Sequence, residues 1–219
     1  ITNTTGDFNV AIGRDALRGN TTADSNTAVG YGSLYVNSTG TGNVAVGYNA
    51  LDATNANYST AVGYEALTAN TTGADSVAVG ALSLDANTSG NQNVGLGVHA
   101  LGANTTADNN TAVGYKSLFA NTTGAGNNAI GASSLLSNTT GGTNTAVGHT
   151  VMNQNTTGAN NVAMGSGALA NNTTASNNTG IGISSMFANT TGSENTAVGR
   201  LSLDANTTGT NNAAVGNQA

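Results

Sequence analysis

The side chains that could bind a metal or catalyse a reaction are two histidines, ten acidic residues and numerous serines. The chain is built on a 17-residue repeat, and His99 and His149 occupy different positions of that repeat, three repeats apart. A serine nucleophile needs a histidine and an acid in fixed geometry, which this pattern does not supply. The glycines lack the lysine and the following helix of a phosphate-binding loop. The sequence therefore predicts a chain that is not an enzyme.

Metal and cofactor binding are not expected either. Asp7 and Asp24 share one repeat position, and Asp52, Asp85 and Asp204 share another, but most repeats have no acid at either position. A calcium-binding β-roll carries a carboxylate in nearly every turn. We therefore expect no cofactor and no metal site.

The composition excludes several classes of partner. The net charge is −6, and Arg14, Arg18, Lys116 and Arg200 are the four cationic residues besides histidine, so no basic surface for nucleic acid can form. No apolar run approaches the ~18 residues that span a bilayer, and the segment beginning Ile1-Thr2-Asn3 does not resemble a signal peptide. We expect no nucleic-acid binding and no membrane insertion by this segment.

One pentapeptide, Asn26-Thr27-Ala28-Val29-Gly30, recurs along the whole chain. Its closing glycine, taken as position 0, returns at every seventeenth position except once, between Gly47 and Gly63, where the interval is one shorter. Position −1 is always apolar, position −2 is Ala or Gly, and position +4 is Leu or Met. An internal repeat of this length is typical of a solenoid.

The repeat favours short β-strands over helices. Clusters of Gly, Asn and Thr in every repeat interrupt any apolar stripe of helical period. Within the pentapeptide, alternating side chains place −1 and −3 on one face and −2 and 0 on the other. We predict an all-β parallel solenoid, or β-roll, of about thirteen 17-residue coils, each formed by a strand, a bend, a second strand containing the leucine, and an Asn-Thr-Thr-Gly turn. We expect one repetitive domain over residues 1–219, a segment of a longer array, because both ends fall within a repeat.

Two apolar rows form the predicted core. The row at position −1 comprises Val29, Val46, Val62, Val79, Val113, Val147 and Val198, and the row at +4 comprises Leu34, Leu51, Leu67, Leu84 and Leu118. A thin coil can enclose only one of these rows, so the other predicts an oligomer. The tight-turn glycines of the roll are Gly30, Gly47, Gly63, Gly80, Gly114, Gly148 and Gly199, where a close backbone approach favours the absence of a side chain.

Asparagine recurs at −4 and +7, where stacked coils would form amide ladders. The +7 residues also fit the Asn-x-Ser/Thr glycosylation sequence, with candidates at Asn20, Asn70, Asn104, Asn121, Asn155 and Asn206. Turn chemistry alone would account for the same residues.

One coil is a residue shorter than the others and lacks the Asn-Thr-Thr-Gly turn, so we expect the missing residue to fall in a surface turn. Tyrosines share position +1 and favour either packing between coils or an aromatic strip for a glycan or another partner; they are Tyr31, Tyr48, Tyr64 and Tyr115.

The tandem Asn-Thr-Ala-Val-Gly pentapeptide followed by a small residue and Leu resembles the head repeats of trimeric autotransporter adhesins, which also occur in phage tail-fibre proteins. That resemblance implies a trimeric left-handed β-roll, with position −1 packing near the three-fold axis and positions −2 and 0 inside the roll. It also implies a rigid extracellular spacer or adhesive head. The longer repeat and the frequent Thr at −3 depart from the family pattern.

The expected function is that of a non-enzymatic extracellular fibrous protein, a rigid adhesin head or stalk or a fibre segment for attachment at a cell surface or on a virion. Its partners would be copies of itself, as a homotrimer or filament, and a host surface protein or glycan. One alternative is a self-assembling extracellular filament or matrix subunit. Another is an ice-binding β-solenoid, because Thr recurs at −3, +8 and +9, although −3 alternates irregularly among Thr, Val and Ala.

Overall fold

A computed structural model describes residues 3–219, so Ile1 and Thr2 at the start of the predicted domain lie outside the described residues. The described chain contains thirteen parallel β-strands of three residues each and no helix. It divides into two compact units, Ile1–Asn109 and Asn110–Ala219. The strands of the first unit are β1 (Val10–Ile12), β2 (Thr27–Val29), β3 (Val44–Val46), β4 (Thr60–Val62), β5 (Val77–Val79) and β6 (Val94–Leu96). Those of the second are β7 (Thr111–Val113), β8 (Asn128–Ile130), β9 (Thr145–Val147), β10 (Val162–Met164), β11 (Thr179–Ile181), β12 (Thr196–Val198) and β13 (Ala213–Val215).

Successive coils stack in register within each unit. Ala28 of β2 lies opposite Ala11 of β1 and Ala45 of β3, and the same pairing continues to β6. In the second unit β7 to β13 pair in chain order in the same way. The predicted parallel β-solenoid with its 17-residue coil is therefore confirmed.

The prediction of a second strand around the leucine was wrong. The segment from +1 to +5 is a series of turns, and each coil contributes one strand. Positions +2 and +4 both adopt the left-handed conformation, as in Asn49 (φ 48°) and Leu51 (φ 50°). Two left-handed residues separated by one residue curl the backbone instead of extending it. The turns still bond to the next coil, since the Leu34 amide donates to the Ala50 carbonyl (3.1 Å).

The leucine row fills the apolar interior of the coil. Leu34, Leu51, Leu67, Leu84 and Leu118 are fully buried, and so are most of the alanines at −2, such as Ala112 and Ala146. The valines predicted as core do not enter this interior. They flank the buried −2 residue on the strand, so their side chains point to the opposite, outer face and are only half-buried, or exposed in Val79.

Two asparagine ladders supply most of the buried polar side chains, and serines, among them Ser59 and Ser76, supply most of the others. Asn155 at +7 donates from Nδ2 to Asn138 Oδ1 of the preceding coil (2.8 Å) and to the Gly158 carbonyl (2.9 Å). Asn144 Nδ2 at −4 donates to the same carbonyl (2.9 Å). The two ladders converge on one row of carbonyls at +10 in both units, so buried amides satisfy one another.

The coil between Gly47 and Gly63 is one residue shorter than the others, and the missing residue falls in the turn where the sequence predicted it. Thr54 replaces the +7 asparagine, and its hydroxyl accepts hydrogen bonds from the Ala56 amide (3.0 Å) and Asn70 Nδ2 (3.2 Å). The Ala56 carbonyl takes the place of the +10 carbonyl, because Asn43 Nδ2 donates to it (2.8 Å). The +7 ladder thus continues through the shorter coil.

The described residues contain no helix long and apolar enough to cross a membrane.

Candidate functional surfaces

The outward side chains of the strands form a surface that we call the strand face, defined by positions −3 and −1. Across the two units position −1 is Val, Ile, Leu or Met and position −3 is Val, Thr, Ala or, once, Asn, so the face carries no charged residue. Ile130 and Met164 are 44% and 42% exposed, as no part of the described chain covers them. Contiguous apolar surface of this kind is characteristic of interaction sites.

The predicted roll glycines, and Gly131 at the same repeat position, lie where neighbouring coils approach closely. A Cβ on Gly30 would lie 2.4 Å from the Gly47 carbonyl oxygen, and one on Gly131 would lie 2.3 Å from that of Gly148. These glycines also have φ near 130°, a conformation that other residues rarely adopt. Their role in the structure is therefore steric and conformational.

The asparagines of the candidate glycosylation sites make hydrogen bonds inside the coil. Asn20, Asn70, Asn104, Asn121 and Asn155 are buried, and Asn206 is partly buried. The amide nitrogen that would carry a glycan instead donates within the coil, as Asn70 Nδ2 does to the Gly73 carbonyl (2.7 Å). The folded coil therefore favours the interpretation of these residues as turn and ladder residues.

Two threonine rows run beside the buried asparagines. At +8 the hydroxyl donates to the backbone of the next coil, as Thr139 Oγ1 does to the Thr156 carbonyl (3.0 Å). At +9 the threonines of the second unit are exposed, and they form a row of Thr123, Thr140, Thr157, Thr174, Thr191 and Thr208.

The tyrosines at +1 are partly brought together. Tyr31, Tyr48 and Tyr64 form one continuous stack, with ring centroids 5.3 Å apart and rings within 10° of parallel. Tyr115 lies in the second unit, where the Lys116 ammonium packs over its ring (5.4 Å). The stack agrees with the predicted packing between coils and also presents an aromatic surface.

Sequence reasoning missed a groove beside this stack. It has a volume of about 390 Å³ and is lined only by residues at +1, +2 and +5 of three successive coils. The lining includes Arg14, Arg18, Tyr35, Asn49 and Asp52 in addition to Tyr31 and Tyr48. The recurrence of Arg or Tyr at both +1 and +5 in neighbouring coils was the signal that could have revealed it.

The other chemically active groups lie apart from one another. Among residues 3–219 no three His, Asp or Glu side chains are grouped as a metal site would require. Burial raises the pKa of Asp52 and, more than its other interactions, that of Asp85. Such shifts follow from partial desolvation at +5 and do not define a catalytic pair.

Comparisons with protein-family models, curated proteins and solved structures gave no match to this chain. What the structure establishes is a parallel β-solenoid with a 17-residue coil.

Proposed function

We propose that this chain is a non-enzymatic segment of a rigid extracellular fibre, an adhesin head or stalk on a cell surface or a virion, in which three copies pack through their strand faces. The strand face carries the proposal. The face is uncharged and half-exposed, and its −1 row is apolar in every coil, so each coil would contribute a similar share of the contact.

The mass of the full chain in solution tests this assembly. We expect light scattering to give three times the 21.3 kDa of one chain. A monomer would contradict the proposed fibre. Open-ended polymers would instead favour the filament or matrix subunit, in which copies join end to end.

A charge on the strand face sharpens the test. Val147→Asp should weaken association by at least ~100-fold, because a trimer would bury three carboxylates close to one another. The coil itself should still fold, since Val147 points away from its interior. Ser166→Asp adds the same charge at an exposed +1 position and should leave the mass unchanged. Equal masses for the two variants would show that another surface holds the copies together.

Ice binding is the second candidate, and the exposed threonine row at +9 is the observation that favours it. Parallel coils place equivalent side chains ~4.8 Å apart, so this row is a regular array of hydroxyl and methyl groups that could order water. A thermal-hysteresis assay on the full chain decides the matter. Ice binding predicts a freezing gap that Thr157→Lys reduces, whereas no gap at millimolar protein would eliminate this function.

A further inference from the structure

The groove beside the tyrosine stack is not required by the fold. The coils of the second unit have the same backbone but carry Ala132 and Leu136, or Ser166 and Ala170, at the two positions that provide Tyr31 and Tyr35 in the first unit. Coil formation therefore places little restriction on these positions. The concentration of three tyrosines and two arginines in neighbouring coils calls for another explanation.

The charges within the groove balance. Arg14 and Arg18 both pair with Asp15 (3.3 and 3.5 Å), and Asp52 contributes a second carboxylate, so the lining carries no net charge. For a phosphate or a polyanion, repulsion by the two carboxylates would offset attraction to the two arginines. A neutral ligand would not be repelled by the carboxylates.

The groove also presents hydrogen-bonding groups beside aromatic rings. Arg18 Nη1 donates to the Tyr35 hydroxyl (3.1 Å), which orients that ring. The Asp52 carboxylate has no hydrogen-bond partner among the described residues, although it is partly buried. A half-desolvated carboxylate is a strong acceptor for a hydroxyl group. Asn49 adds an amide that can both donate and accept.

The end of the stack offers a flat apolar surface. One face of Tyr64 is covered by Tyr48 at 5.3 Å, and the equivalent residue of the following coil is Ala81, whose methyl group is too small to cover the other face. Tyr64 is 52% exposed. Tyr64 lies one coil beyond the groove lining, however, so a ligand in the groove would contact the edges of Tyr31 and Tyr48, whose ring faces pack against Arg14, each other and Tyr64.

We propose that this groove binds a neutral oligosaccharide lying across three coils, with sugar hydroxyls bonded to Asp52, Asn49 and the tyrosine hydroxyls. Its volume lies within the range of small-molecule sites. Its carboxylate, amide and phenol groups suit a ligand that is uncharged and rich in hydroxyl groups. The groove contains no residue of the strand face, so the mass measurement and the binding test can fail independently.

One substitution can fill the groove without disturbing the coil. Lys116 occupies position +2 with a left-handed φ of 51°, and its ammonium lies 5.4 and 5.5 Å from the ring centroids of Tyr115 and Phe119 at +1 and +5. Gly32 is the +2 residue between Tyr31 and Tyr35, with φ 64°. Gly32→Lys should therefore place an ammonium between these two rings, displacing only the flexible Asn49 side chain. Gly167→Lys is the matched control, because Gly167 is also a left-handed +2 glycine but lies in the second unit.

The experiment uses the full chain on an array of neutral and acidic oligosaccharides, followed by calorimetric titration with the strongest neutral binder. We expect Gly32→Lys to weaken that binding by at least tenfold and Gly167→Lys to leave it unchanged. Asp52→Asn should weaken it by about tenfold through the loss of a charge-assisted hydrogen bond. Circular dichroism would verify that each variant is folded.

Three results would overturn the proposal. One is the absence of binding by any neutral oligosaccharide at concentrations up to roughly 10 mM. Another is a Gly32→Lys variant that binds as the unsubstituted chain does. The third is binding restricted to acidic oligosaccharides, which would mean that the arginines act as an anion site.

Discussion

Gly131→Ala is expected to lower the free energy of unfolding by about 3–5 kcal/mol, since it combines backbone strain with overpacking. The new methyl group would lie 2.3 Å from the Gly148 carbonyl oxygen, which belongs to the backbone of the next coil and cannot move aside alone. Alanine also rarely adopts the φ of 128° found at this position. Urea unfolding followed by circular dichroism would measure the loss as a lower midpoint at constant slope.

Gly167→Ala is the matched control for a glycine with positive φ. Its φ is 69°, and an added Cβ would approach nothing closer than Ser184 Oγ at 3.4 Å. Other coils place Asp, Glu or Lys at this position, so we expect a loss of about 1 kcal/mol or less. Similar midpoints for Gly131→Ala and Gly167→Ala would show that the close approach between coils is not as tight as the structure indicates.

Asn138→Asp should have a comparable effect that depends on pH, with a loss of about 3–5 kcal/mol at pH 7. Asn138 Nδ2 donates to Asn121 Oδ1 and to the Gly141 carbonyl, both at 2.9 Å. An aspartate oxygen in its place would face two acceptors and could donate to neither. Asn155 Nδ2 could still donate to the new carboxylate, but one hydrogen bond would leave the buried charge largely uncompensated.

The pH dependence follows from the preference of this site for the neutral acid. The folded-state pKa of the new carboxyl would rise above its unfolded value of about 3.9. The ionisation penalty is therefore absent below that value and grows as the pH rises through the interval between the two pKa values. Unfolding midpoints at pH 3.5 and pH 7 would show a larger deficit at pH 7.

Asn177→Asp is the matched control for the change in charge. Asn177 is exposed and left-handed (φ 61°), a conformation that aspartate tolerates. Its unfolding midpoint should match that of the unsubstituted chain at both pH values. If Asn138→Asp were equally stable at pH 7, the asparagine ladder would not contribute to the stability of the coil.

Local pattern was sufficient to predict much of the coil. The alternation in Thr27-Ala28-Val29 predicted one short strand with its alanine on the face opposite the valine, and both features are present. The +7 asparagine predicted an amide ladder, which the structure confirms from Asn138 to Asn155. These features depend on neighbours along the chain or on the same position one coil away, so a periodic sequence reveals them directly.

Other features could not be predicted from local pattern. A leucine in an apolar repeat normally indicates a strand, but Leu51 adopts a left-handed turn because each coil must close within a single repeat. The choice between the valine and leucine rows was open for a similar reason. Either could have been enclosed, and the turns at +2 and +4 direct the leucine inward while Val29 and its equivalents remain on the strand face.

The period, the parallel register, the strand of the pentapeptide and the glycine at its end can all be predicted from the repeat, because each follows from residues that recur at one position. The repeat does not show which different positions meet in space. The −4 and +7 asparagines share one carbonyl row at +10, and Arg14, Tyr35 and Asp52 line one groove. Such contacts depend on how the chain bends between strands and on how one coil stacks upon the next. The recurrence of a residue type at one position of the repeat reveals neither.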